Sequence, residues 1–95
     1  MINGDIDMFI DTIHYGEDIS LKYGNRRLFI DGWWKGNKYT LRMFDYDNPD
    51  DDSIYNFEIT NEDREKVVNE FLEKKIWNGK PFLEEAQNIE WTDEF

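Results

Sequence analysis

The sequence predicts an α+β fold: an N-terminal helix, an antiparallel three- to four-stranded meander, and two C-terminal helices. Three observations predict it. The hydrophobic period is 3.6 over about residues 4–14, changes to 2 from Ile19 onward, and returns to 3.6 after Thr60. Two Gly-Asn pairs, Gly24–Asn25 and Gly36–Asn37, separate the alternating runs. Asn78–Gly79 and Pro81 then punctuate the last third of the chain.

Each element has its own signal. Ile6, Phe9, Ile10 and Ile13 recur at i, i+3, i+4, i+7, one apolar stripe of a helix. Asn3 is suited to cap its start and Gly16 to end it. Ile19, Leu21 and Tyr23 alternate with polar residues and predict a first strand. In "RRLFIDGWW", Leu28, Ile30 and Trp34 point one way and Phe29 and Trp33 the other. A strand apolar on both faces is expected to be central or covered twice. Trp33 and Trp34 therefore face opposite ways. Either one is core and the other exposed, or helices cover both sides.

"KYTLRMFDY" predicts a third strand, with Tyr39, Leu41 and Met43 on one face and Phe44 and Tyr46 on the other. "SIYNFEIT" alternates Tyr55, Phe57 and Ile59 and predicts a fourth. Thr60 with Asp63 has the spacing of a capping box for a helix running to about Lys75. Val67, Val68, Phe71 and Leu72 form its apolar stripe. Glu62, Glu65, Asn69 and Glu73 line another face, roughly one turn apart. Asn78–Gly79 is read as the break of that helix, and Pro81 as the first turn of a short last one. Ile89–Trp91 is either a final strand or a docking segment. Phe9, Ile13, Leu28, Ile30, Leu41, Phe71 and Leu72 are expected to be buried together.

Ninety-five residues make one domain, residues 1–95, long enough for a modest core. There is no cysteine, so disulfides and thiolate zinc sites are excluded. The first sixteen residues carry three aspartates and no Lys or Arg, the wrong charge for a targeting peptide. No apolar run reaches membrane-spanning length. A cytoplasmic protein is the expectation. Aromatics are 17% of residues, which argues for a packed domain despite a formal charge of −11. Residues 1–44 balance six acids against six bases, whereas residues 45–95 set sixteen acids against five bases. Nucleic acid and anionic membrane would be repelled, and a basic protein attracted. The acids of the first helix, Asp5, Asp7 and Asp11, are expected to matter less, because their half is balanced.

Catalytic and metal chemistry find little support. The stretch "DYDNPDDDS" holds five aspartates in nine residues. An EF-hand register starting at Asp45 puts Pro49 at position 5 and Asn56 at position 12; starting at Asp47 puts Pro49 at position 3. Both fail, leaving a solvated loop with Asp50, Asp51 and Asp52 exposed and no structural metal. His14 is the lone histidine, with no nucleophile or second ligand beside it. "DGWWKGNK" lacks phosphate-loop spacing. Neither an enzyme nor a cofactor is expected.

The tail "FLEKKIWNGKPFLEEAQNIEW" is similar to a small family of proteins from Gram-positive bacteria and their phages. The likeness covers about the last 40 residues and assigns no functional residue. The order of elements and the charge also resemble type II-A anti-CRISPR proteins that block PAM reading. Those are DNA mimics, whose carboxylates occupy a basic groove that reads duplex DNA. The resemblance implies a partner-binding set of Asp45, Asp47, Asp50, Asp51, Asp52, Glu62, Glu65 and Glu73. It also implies a basic partner, such as an RNA-guided or restriction nuclease, with no direct nucleic-acid binding. Two alternatives share the electrostatics: an immunity protein for a basic nuclease toxin, and a generic acidic interaction domain.

Overall fold

The computed structural model describes residues 6–92. Helix α1 (Ile6–Tyr15) leads into a meander of β1 (Ile19–Tyr23), β2 (Arg26–Lys35), β3 (Lys38–Asp45) and β4 (Phe57–Asn61). Helix α2 (Arg64–Glu73), the one-turn helix α3 (Phe82–Glu85) and a 3₁₀ turn (Ala86–Asn88) follow, and β5 (Ile89–Thr92) ends the described chain. The sheet order is β4-β3-β2-β1-β5, with every neighbouring pair antiparallel. "IEW" is thus a strand. It reaches the far edge because α2 and α3 carry the chain from the β4 edge back across to β1.

That crossover decides the layering. The described helices lie on one face of the sheet. Ile19, Leu21, Leu28, Ile30, Tyr39, Leu41, Met43, Ile59 and Ile89 point into them and are buried. Phe9 and Ile13 come down from α1, and Val67, Val68 and Phe71 from α2. Phe82 joins the helical pieces: its ring stacks on Phe9 at 4.7 Å and lies 5.7 Å from Phe71 and 5.6 Å from Trp77. Leu72, expected in this core, is half-buried at its margin.

The end of α1 rests on β2 because two glycines meet. Gly16 adopts φ +72°, and an added Cβ would lie 3.0 Å from the Gly32 carbonyl oxygen. A Cβ on Gly32 would run into the Tyr39 ring. With neither present, the Tyr39 hydroxyl donates to the Ile13 carbonyl at 2.8 Å and ties β3 to α1.

Three local readings are corrected. Asp63, not Thr60, caps α2, its carboxylate accepting from the Glu65 N–H at 2.9 Å. Thr60 remains in β4, where its hydroxyl meets that of Thr40 at 2.8 Å. Asp is a better N-cap than a threonine already engaged in a sheet ladder. Nor does Asn78–Gly79 break α2, which ends at Glu73. The pair forms a separate tight turn, with φ 58° and 77°, closed by two backbone bonds between Trp77 and Lys80. Two successive positive φ angles are what such an Asn-Gly turn requires. Tyr55 precedes β4 instead of lying in it, and the proposed Asn3 cap falls outside the described residues.

Candidate protein-binding surfaces

The aspartate-rich segment joins β3 to β4, and it is organised from within. The Asn56 side chain accepts from the Asp45 N–H at 2.6 Å and donates to the Asn48 and Asp51 carbonyls at 2.9 and 2.7 Å. Asp45 is 4% exposed. It receives Arg26 at 2.9 Å and the Asp47 N–H at 3.0 Å. Asp47 is forked by the Arg27 guanidinium, whose hydrogen bond holds the Asp47 carboxyl below its usual range. Asp45 is therefore not a surface carboxylate, and Asp47, though exposed, is already paired. The sequence could not show this, because both arginines come from β2, nineteen and twenty positions away. Asp50, Asp51 and Asp52 remain exposed and form no ion pair among the described residues. Among the described residues, no group of three or more His, Asp or Glu is placed to hold a metal ion.

The remaining acids separate into two ends. Glu62 precedes α2 rather than lying on it, and accepts from Asn37 at the β2–β3 tip at 3.5 Å. Glu65 starts the helix beside it. Helix α2 then runs back along the sheet, so that Phe71 meets Phe57 at 6.2 Å and the Lys74 ammonium covers the Phe57 ring at 4.7 Å. Glu73 therefore belongs with Asp50–Asp52, at the loop end. Glu65 and Glu73 are two helical turns apart, about 12 Å, not one. Lys66 lies between the acids of this helix, and Lys74 and Lys75 follow the last of them, Glu73.

The even balance of residues 1–44 conceals a separation in space. All six bases lie on β1, β2 and β3 (Lys22, Arg26, Arg27, Lys35, Lys38, Arg42), while Asp7 and Asp11 lie on α1 and Glu17 and Asp18 just after it. The first helix thus belongs to the acidic side, contrary to the reading from sequence balance. Asp5 lies outside the described residues.

The second face of the sheet carries no helix among the described residues. Its register sets Trp33 beside Thr40, Asp31 beside Arg42, and Phe29 beside Phe44. Phe29 and Phe44 touch at 5.4 Å. The Arg42 guanidinium is forked onto Asp31 at 2.7 and 3.0 Å and lies over the Phe44 and Trp33 rings at 5.0 and 5.4 Å. Arg27 covers Tyr46 at 5.0 Å. Neither tryptophan is core: Trp33 is 37% exposed on this open face and Trp34 is 52% exposed on the helical side, its ring beside Tyr39. Leu28 and Ile30 share the parity of Trp34, but β1 pairs with β2 only as far as Ile30, and Trp34 overhangs the end of the core.

No family model, no curated protein and no solved structure matches the chain. No helix among the described residues is long and apolar enough to cross a membrane.

Proposed function

We propose that this chain is a non-catalytic acidic inhibitor that occupies the basic groove of a nucleic-acid-handling protein, its carboxylates taking the place of phosphates. One observation carries the reading: the excess of negative charge is one-sided. Six of the eleven bases sit on the sheet, where Arg26, Arg27 and Arg42 are each bonded to an aspartate, and the other five, on or after α2, are outnumbered by the acids of the helical side. Asp50, Asp51, Asp52, Glu65 and Glu73 form no ion pair among the described residues. A one-sided negative field is what steers a basic partner, and a groove built for phosphates is arranged to neutralise it. The partner-binding set is reduced to Asp50, Asp51, Asp52, Glu62, Glu65 and Glu73. A specific observation favours the immunity-type reading as the second choice. Trp34, half-exposed beside the Glu62 tip, offers the aromatic anchor that plugging one particular nuclease would use.

The test is binding to a basic nuclease captured from lysate, with duplex DNA as competitor. Charge reversal at Glu62, Glu65 and Glu73 should weaken binding at least 100-fold. Asp7→Lys with Asp11→Lys should now weaken it measurably as well. Binding should fall steeply between 50 and 500 mM salt. A complex indifferent to saturating DNA and to the helix reversals, but lost with Trp34→Ala, would replace mimicry by the anchored mode.

A further inference from the structure

The open sheet face has no cover among the described residues, and its charge bears on what would suit it. Phe29, Trp33 and Phe44 form a half-exposed aromatic band outside the hydrophobic core. The five bases on this face (Lys22, Arg27, Lys35, Lys38, Arg42) nearly balance its acids (Asp31, Asp47, Glu58, Glu90). The face is thus close to neutral in a molecule of charge −11. Two copies approaching through their helical layers would bring like charges together. Approaching through the open faces, they would keep those layers outermost, beyond about a Debye length from each other.

We infer that the open face is a self-association surface, pairing two copies of this chain face to face about a two-fold axis. The charge along the strands sets the orientation. Lys35 and Lys38 mark the β2–β3 tip, and the aspartate-rich loop marks the opposite end of the same strands. An antiparallel arrangement lays each lysine pair against the other copy's loop and each Trp33 on the other copy's Phe29 and Phe44. A parallel one would set lysine on lysine. Such a contact is isologous, so it closes at two copies. Its size limits its strength. Five strands about 4.8 Å apart, most of them only four or five residues long, offer on the order of 500 Å² per copy, below the roughly 800 Å² of a standard stable interface. The pair is therefore weak and concentration-dependent. It does not depend on the inhibitor reading, with which it shares only the aspartate-rich loop.

Sedimentation equilibrium of the full chain tests it, from about 10 µM to 1 mM at 50 and 500 mM NaCl. A dimer should appear at the upper concentrations at both salts, weakened at the higher one only to the extent that the lysine–aspartate contacts are screened. Trp33→Glu should abolish the dimer and Trp34→Glu should not. Should Trp33→Glu fail to fold, Lys35→Glu with Lys38→Glu, on exposed positions, must weaken the dimer. A monomer throughout, a dimer that survives these open-face changes, or a monomer whose Trp33 binds a single-stranded oligonucleotide or an acidic peptide instead would each overturn the assignment.

Discussion

The two faces of the sheet are built from the same strands by alternate residues, yet they solve different problems. The helix-covered face is dry and nearly all hydrocarbon, and Phe82 locks α1, α2 and the Trp77 turn together on it. The open face carries fewer rings, Phe29, Trp33, Phe44 and Tyr46, and guanidinium groups bonded to aspartates lie over them. A ring half in water stabilises through its cross-strand neighbours, at roughly 0.2–1 kcal/mol per pair. A fully buried ring stabilises through every contact it makes. The burial of a ring, more than its presence in a strand, therefore decides how much it holds the fold together.

The largest test of that contrast is a pair of alanine substitutions. Phe71→Ala should cost about 3–5 kcal/mol in urea unfolding, whereas Phe44→Ala should cost about 1 kcal/mol. Equal losses would mean that the open face is covered in solution. Next in size is Gly32→Ala. The new methyl has to displace Tyr39, so a loss of about 1–3 kcal/mol is expected. A melt unchanged from the parent would show that α1 does not rest on β2 at this point.

The smallest test concerns the Tyr39 hydroxyl, whose bond to Ile13 belongs to the covered face alone. Burial raises its pKa, partly offset by Arg64 and reinforced by Asp31. The folded state then keeps a proton that the unfolded chain loses near pH 10. Stability from this group is full below about pH 10 and declines as pH rises from there through the folded pKa. Tyr39→Phe should cost about 0.5–1.5 kcal/mol at pH 7 and should flatten part of the alkaline decline. An identical decline in the variant would assign the effect elsewhere, Tyr23 beside Glu85 being the other raised tyrosine.

The candidate surfaces were less legible in the sequence than the fold. Exposure of Asp50, Asp51 and Asp52 followed from their density beside a proline. The burial of Asp45 and the pairing of Asp47 did not, since their arginines lie one strand away in space. Glu62, Glu65 and Glu73 look like one row when counted along a helix. The actual start of α2 at Arg64 removes Glu62 from that row and leaves two carboxylates two turns apart. Nothing in a single sequence signalled the open face, because Phe29 and Phe44 alternate as regularly as the core residues do.

What the sequence determined by itself is whatever depends on neighbours a few residues apart. Apolar periods of 3.6 and 2 fixed the helices and strands. Gly-Asn pairs fixed the hairpins of β1, β2 and β3. Charge counting fixed the acidic character of the second half. What only the tertiary structure decided was which strand face met the helices, where β5 docked, and which charges neutralised one another. These depend on how whole elements pack: the β2–β3 pairing brings Arg26 to Asp45, and the crossover from one sheet edge to the other brings Phe82 to Phe9. Local spacing carries no record of such meetings, because their free energy arises only when distant segments exclude water together.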